Sequence, residues 1–274
     1  MCLDERTIGG GDSPRVWTLE KVSFFFGTSH QTLYNDSMKE LKQKGVLLTD
    51  HDLDEKSVVV VGDIHGCATA LKELIEHISD TNCQVVFVGD LLDRGSEGAE
   101  VISTVHTMCT NPEKFGVSSA MCLMGNHERM ILDAHSTVVG DTDHRLISLW
   151  LQNGGMYDDF QFITDEKLWA WLYGLPLWYE HPNPVKWNDR ELKLLVTHGS
   201  VAPQTPLREQ DPMTLYWDRD VVGYSPEHLT VNGHTVCRGG EPLEFETPTG
   251  TVLRIDTGSY FTGVVTGLAL REAL

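Results

Sequence analysis

The chain has 274 residues, 41% hydrophobic and 22% charged, which excludes a disordered chain, a collagen-like chain and a simple coiled coil. Its 40 Asp and Glu against 21 Lys and Arg give a formal net charge of −19, which disfavours nonspecific binding to nucleic acid or an anionic membrane. The longest charge-free runs, such as Thr257–Leu270, reach 14 residues, short of the roughly 20 apolar residues of a spanning helix. No apolar leader follows Asp4, Glu5 and Arg6, and none of the six scattered cysteines forms a C-x-x-C pair. The cysteines therefore read as reduced side chains of a cytoplasmic protein.

Residues 1–56 stand apart. Gly9-Gly10-Gly11 and Pro14 loosen the start. The run Leu19–Phe26, a Gly27-Thr28-Ser29 turn and the run His30–Lys44 follow, with Tyr34, Met38 and Leu41 on one face and Gly45 as a helix stop. The pattern predicts a small helical extension. It resembles a helix-turn-helix, but a helical hairpin packed on the body is the preferred reading. Its 10 acidic and 7 basic residues do not favour a phosphate backbone. The polar stretch Thr49–Lys56 predicts a linker, which puts the boundary between an extension of 1–56 and a body of 57–274.

The body opens with Val58-Val59-Val60-Val61, a buried strand predicted over 58–62. Helix 67–78, strand 84–89, helix 97–108, strand 120–124 and helix 128–135 come next. β-Branched strands alternating with helices predict βαβ units and a parallel sheet. Further on, Trp178–Glu180 and Leu192–Thr197 flank a Pro-rich turn. Thr230–Gly233, Val252–Asp256 and Gly263–Leu270 predict more short strands. The expected architecture is α/β, with a second sheet packed on the first as a sandwich and helices outside both.

Each strand ends in a polar punctuation. Gly62-Asp63-Ile64-His65-Gly66 closes the first, Gly89-Asp90-Leu91-Leu92-Asp93-Arg94-Gly95 the second and Gly125-Asn126-His127-Glu128 the third. Thr197-His198-Gly199 and Asn232-Gly233-His234-Thr235 close two later runs. In open α/β sheets, ligands gather beyond the carboxyl ends of strands. Singly, each motif reads as a turn or a core histidine; together they bring Asp, His, Asp, Asn, His and His to neighbouring loops. Oxygen and imidazole donors without cysteine suit Mn²⁺, Fe or Zn²⁺. Six donors exceed what one open catalytic metal needs, whereas two metals sharing a carboxylate would use them. Asp90, on the central of the three strands, is the natural bridge.

These motifs resemble the phosphoprotein phosphatases of the metallophosphoesterase superfamily, including their phage and bacterial members. The likeness runs from about Val58 to the C-terminus. It includes Trp150-Leu151-Gln152-Asn153-Gly154-Gly155, Tyr216-Trp217-Asp218-Arg219, Gly233-His234-Thr235 and Ile255-Asp256-Thr257-Gly258. It implies a metallophosphoesterase fold and two divalent metals, Mn²⁺ first. Asp63 and His65 would hold the first metal, Asp90 would bridge, and Asn126, His198 and His234 would hold the second. A hydroxide between the metals would attack phosphorus. His127 would protonate the departing alkoxide with Asp93 holding its other ring nitrogen, and Arg94 and Arg219 would grip phosphate. The implied activity is that of a phosphomonoesterase on phosphoserine and phosphothreonine, with phosphotyrosine a further substrate. A diadenosine tetraphosphatase or a nucleotide or nucleic-acid end phosphatase is the other reading, and Asp93 tilts the choice toward the protein phosphatase. Family members often carry Arg before the GNHE motif; this chain has Met124, which leaves a clamp of two arginines. The expected partner is a phosphorylated protein or small phosphoester, with no membrane and no long nucleic acid on the catalytic body.

Overall fold

A computed structural model describes residues 15–16, 44–139, 144–162 and 165–273. The helix expected over 19–26, and residues 30–43 of the one expected over 30–44, lie outside the described residues.

Two mixed sheets form the frame. The first is built on β3 (Ser57–Val61), β4 (Gln84–Phe87) and β5 (Ser119–Cys122), which run parallel in that order. α1 (Ala68–Ile78) and α2 (Gly98–Thr110) make the crossovers, and α3 (Asn126–Val139) follows β5. β11 (Val264–Arg271) pairs antiparallel with β3, and β2 (Lys44–Leu48) pairs parallel with β11 at the edge. The second sheet has the order β1-β9-β10-β8-β7-β6. Its strands are β1 (Arg15–Val16), β6 (Trp178–Trp187), β7 (Arg190–Thr197), β8 (His228–Asn232), β9 (Leu243–Thr247) and β10 (Gly250–Arg254). β7, β8 and β10 run parallel. Short helices fill the rest: α4 (His144–Gln152), α5 (Tyr157–Phe162), α6 (Glu166–Tyr173), α7 (Pro212–Trp217) and α8 (Ser259–Thr262).

The pleat decides what each valine of β3 touches. Val59 and Val61 face α1 and α2, packing with Leu71, Leu74, Val101 and Ile102. Val58 and Val60 face the other sheet, packing with Leu194, Val196, Leu229 and Val231. Strand side chains alternate between faces, and a strand buried on both reads as an unbroken apolar run. Each fully buried valine contributes on the order of 1.5–3 kcal/mol. No helix among the described residues is long and apolar enough to cross a membrane.

Several elements depart from the sequence reading. Lys44 and Gly45, read as a helix end and its stop, lie in β2 of the first sheet. A Cβ on Gly45 would come 2.2 Å from the Leu74 backbone nitrogen, so glycine is required there for close approach to α1. The first sheet thus takes a strand from the stretch assigned to the extension. β11, grouped with the second sheet by the sequence, is an interior strand of the first, between β2 and β3; it is buried on both faces, so no alternation marks its sheet. The Pro-rich turn is instead part of β6, whose register shifts between Glu180 and Pro184. β6 is an edge strand, where a missing N–H breaks no outer ladder.

Candidate dinuclear metal centre

The carboxyl ends of β3, β4, β5, β7 and β8 deliver the punctuated loops to one place, three from the first sheet and two from the second. Backbone conformation there is unusual. Among the described residues nine non-glycine residues have positive φ, and five of them, His65, Asp90, Asp93, Arg94 and His234, belong to these loops. L residues hold such angles only where surroundings enforce them.

Asp90 is at the middle and is buried. One carboxylate oxygen lies 3.3 Å from His198 Nε2 and the other 3.5 Å from His65 Nε2. Two groups with converging donor atoms share it: His65, Asp90 and His127, and Asp90, His198 and His234. Burial alone would raise the Asp90 pKa, but the facing imidazoles of His198 and His127 outweigh it and hold the carboxyl well below its usual range.

Backbone carbonyls orient the imidazoles. His65 Nδ1 donates to Leu92 O at 2.9 Å and His198 Nδ1 to Val88 O at 3.0 Å, which turns both Nε2 atoms toward Asp90. His234 Nε2 donates to Trp217 O at 2.8 Å, so its Nδ1 carries a lone pair. That lone pair meets Asn126 Oδ1 at 2.8 Å, and the same oxygen is 3.1 Å from His198 Nε2. Convergence of an imidazole lone pair, an amide oxygen and a shared carboxylate is a cation-binding arrangement.

The surrounding field has the matching sign. Burial lowers the His198 pKa, but the Asp90, Asp63 and Glu128 carboxylates reverse this and raise it to about 9. His65 and His234 are pushed by burial to about 3, which keeps their imidazoles neutral and able to ligate a cation. Asp63 is placed differently: its carboxylate accepts the His234 N–H at 3.1 Å with both oxygens and stands outside the two converging groups. Burial and the neighbouring Asp256 raise the Asp63 pKa well above the ordinary carboxylate value. The chain's donors therefore fit divalent cations, with Asp90, His65, His198, His234 and Asn126 around them and Asp63 beside His234.

His127 is held from two sides. Its backbone N–H donates to Asp90 Oδ1 at 3.0 Å, and Nδ1 donates to Asp93 Oδ2 at 2.7 Å. Its Nε2 is buried without a hydrogen-bond partner, 4.0 Å from Asp90. A buried polar atom left unpaired at a site is a functional pointer. Arg94 and Arg219 both reach the centre's edge: Arg94 Nη1 is 2.7 Å from His65 Nε2, and Arg219 Nη1 donates to His234 O at 3.2 Å. Met124 is packed in the core against the helices, not in the cluster.

Glu128 has no role legible from the sequence alone. Its buried carboxylate accepts from the N–H groups of Asp90, Leu91 and Gly125 at 2.7, 2.8 and 3.0 Å, tying the β4 and β5 loops together. Burial and the Asp90 charge raise its pKa to about 7. Tyr260 was also missed. It is exposed at the rim, edge-on to His65 and under the Arg94 guanidinium, 4.9 Å from its ring centre. The Glu128 signal was the final letter of the GNHE motif; Tyr260 follows the matched Ile255–Gly258 stretch with no pattern of its own.

Known proteins are similar to this chain in sequence and in fold. The family described as calcineurin-like phosphoesterase matches residues 56–244. Serine/threonine-protein phosphatase 2 of Salmonella typhimurium is 25% identical over 216 residues, covering 76% of this chain and 90% of that protein. A symmetrical bis(5'-nucleosyl)-tetraphosphatase of Psychromonas ingrahamii is 25% identical over 152 residues, 55% of this chain and 46% of that one; the match thus spans about half of that relative. The crystal structure of a protein proposed to be a diadenosine tetraphosphatase superposes with a TM-score of 0.55 at 19% identity, covering 83% of this chain and 93% of that one, which shows a common fold. With the family match spanning most of the body, the chain belongs to the calcineurin-like phosphoesterases and is a phosphoester hydrolase.

Proposed function

We propose that the protein is a phosphomonoesterase acting on phosphoserine and phosphothreonine in proteins, with Mn²⁺ as its preferred metal and the cytoplasm as its compartment. The observation that carries this is the pairing of His127 with Asp93 beside the converging donors. His65, Asp90, Asn126, His198 and His234 would hold two divalent cations, with Asp63 contributing to the first, and the pair would supply an activated water and neutralise phosphate charge. Arg94 and Arg219 bind the phosphate oxygens as guanidinium forks. His127 delivers its Nε2 proton to the leaving oxygen, while Asp93 keeps Nδ1–H engaged and fixes the ring. A serine alkoxide is a poor leaving group, so a buried proton donor matters most for this substrate.

Hydrolysis of dinucleoside polyphosphates is the second reading, favoured by the tetraphosphatase names among the relatives. Phosphopeptides and diadenosine tetraphosphate, each assayed with Mn²⁺, Fe²⁺ and Zn²⁺, decide between them. A kcat/KM at least about tenfold higher on the phosphopeptide, about 1.4 kcal/mol in transition-state binding, is the expected result. Preference for the dinucleotide transfers the assignment to the second reading.

A further inference from the structure

The stretch from α4 to α5 makes three contacts that end on two residues of the β4 loop, Asp93 and Arg94. Trp150 Nε1 on α4 donates to both Asp93 carboxylate oxygens at 2.9 Å. Asp159 Oδ2 on α5 accepts the Asp93 N–H at 3.0 Å. Gly154 O, between the helices, accepts the Arg94 N–H at 2.9 Å. Asp93 and Arg94 are consecutive left-handed residues, with φ of 68° and 66°, a conformation L residues keep only under external restraint.

Three glycines make these approaches possible. A Cβ on Gly155 would lie 2.5 Å from the Trp150 ring, one on Gly154 2.8 Å from Arg94 Cγ, and one on Gly98 2.4 Å from Asp159 Oδ1. Trp150 and Asp159 are 1% and 2% exposed. A buried aspartate on a six-residue helix, with glycine clearing its oxygen, is costly to keep as mere filling.

We propose that Trp150 and Asp159 are positioning residues for the proton donor. The indole N–H spans both oxygens and fixes the plane of the Asp93 carboxylate, and the Asp159 carboxylate fixes the Asp93 backbone. Together they keep His127 Nε2 directed at the leaving oxygen beside Asp90. A carboxylate held by His127 alone can turn about its last bond and let the imidazole tilt, and small misplacements of a catalytic group are expensive. This inference rests on His127 being the proton donor.

The test is a series of phosphomonoesters with increasingly basic leaving groups: 4-nitrophenyl, phenyl and alkyl phosphates. Wild type is compared with His127→Asn, Trp150→Phe, Asp159→Ala and Asp159→Asn, with bound metal per chain measured for each. In Trp150→Phe and Asp159→Ala the kcat deficit should widen from about threefold on 4-nitrophenyl phosphate to about thirtyfold on alkyl phosphates, a partial loss of the roughly 10²–10⁴ that acid catalysis supplies. KM and metal content should hold. Asp159→Asn, which keeps an acceptor oxygen, should recover most of the loss. If Trp150→Phe fails to fold, a benzothiophene isostere at Trp150 removes only the N–H. A deficit in both variants that is equal across leaving groups, with His127→Asn still showing the trend, overturns the positioning role alone. Absence of the trend in His127→Asn overturns the proton-donor reading and this inference with it.

Discussion

His127 is fully buried, yet its Nε2 has no hydrogen-bond partner, and that pairing of burial with an unmet polar atom defines its expected behaviour. His127→Asn should lower kcat by about 10²–10⁴, the range of a general acid, with bound metal unchanged by elemental analysis. A second residue-scale prediction concerns pH. Burial raises the Asp159 pKa to about 6, against the Asp93 N–H bond that lowers it. The folded state therefore holds this proton more tightly than the unfolded chain. Its contribution to stability is present at acid pH and is lost as pH rises from about 4 through about 6. Asp159→Asn removes that loss, so the Tm difference between variant and wild type should grow in the variant's favour across this window and level off above it. The motif residues were legible because chemistry restricts their types: Asp90, His65, Asn126, His198 and His234 carry donors at strand ends. Trp150 entered only as part of the Trp150–Gly155 resemblance, without a role, and Asp159 not at all, since an indole in an apolar helix and one acid among 40 carry no local mark of what they touch; the contacts that single them out exist only once the chain folds back.

Strands were readable where composition and burial agree, as in the four valines of β3. They were unreadable where packing overrides local pattern. Gly45 is a helix stop by sequence and a strand residue by packing, because only glycine lets β2 lie against the α1 backbone. Gly45→Ala should destabilise the protein by about 1–3 kcal/mol, the usual cost of overpacking, seen as a lower urea midpoint with unchanged m-value. β9, Leu243–Thr247, escaped notice because Glu244 and Glu246 sit in it. Glu244 is nonetheless buried and accepts from Trp187 Nε1 at 3.2 Å, which satisfies the carboxylate that made the stretch look like a loop.

At the scale of the molecule, the net charge of −19 acts on encounter rather than on chemistry. Arg94 and Arg219 add positive charge at the edge of the centre, while the wider acidic surface repels acidic partners. Phosphopeptides flanked by Lys and Arg should show kcat/KM falling with added salt, and acidic ones should show it rising, as screening shortens to about 8–10 Å at 0.10–0.15 M. Chelation should abolish turnover, and adding Mn²⁺ should restore it and raise Tm, because a ligand bound only by the folded state stabilises it. The donors themselves span the whole body: the His234 N–H meets the Asp63 carboxylate across 171 positions of chain. On a ribosome, the loops after β3, β4 and β5 emerge long before β7 and β8, so a nascent chain displays Asp63, His65, Asp90 and Asn126 while His198 and His234 are still unmade. On the proposed donor set, capture of the full cation pair would require synthesis past His234 and the meeting of both sheets, so cation uptake would time the joining of the two halves of the body, with β9, β10 and β11 following β8 in the chain.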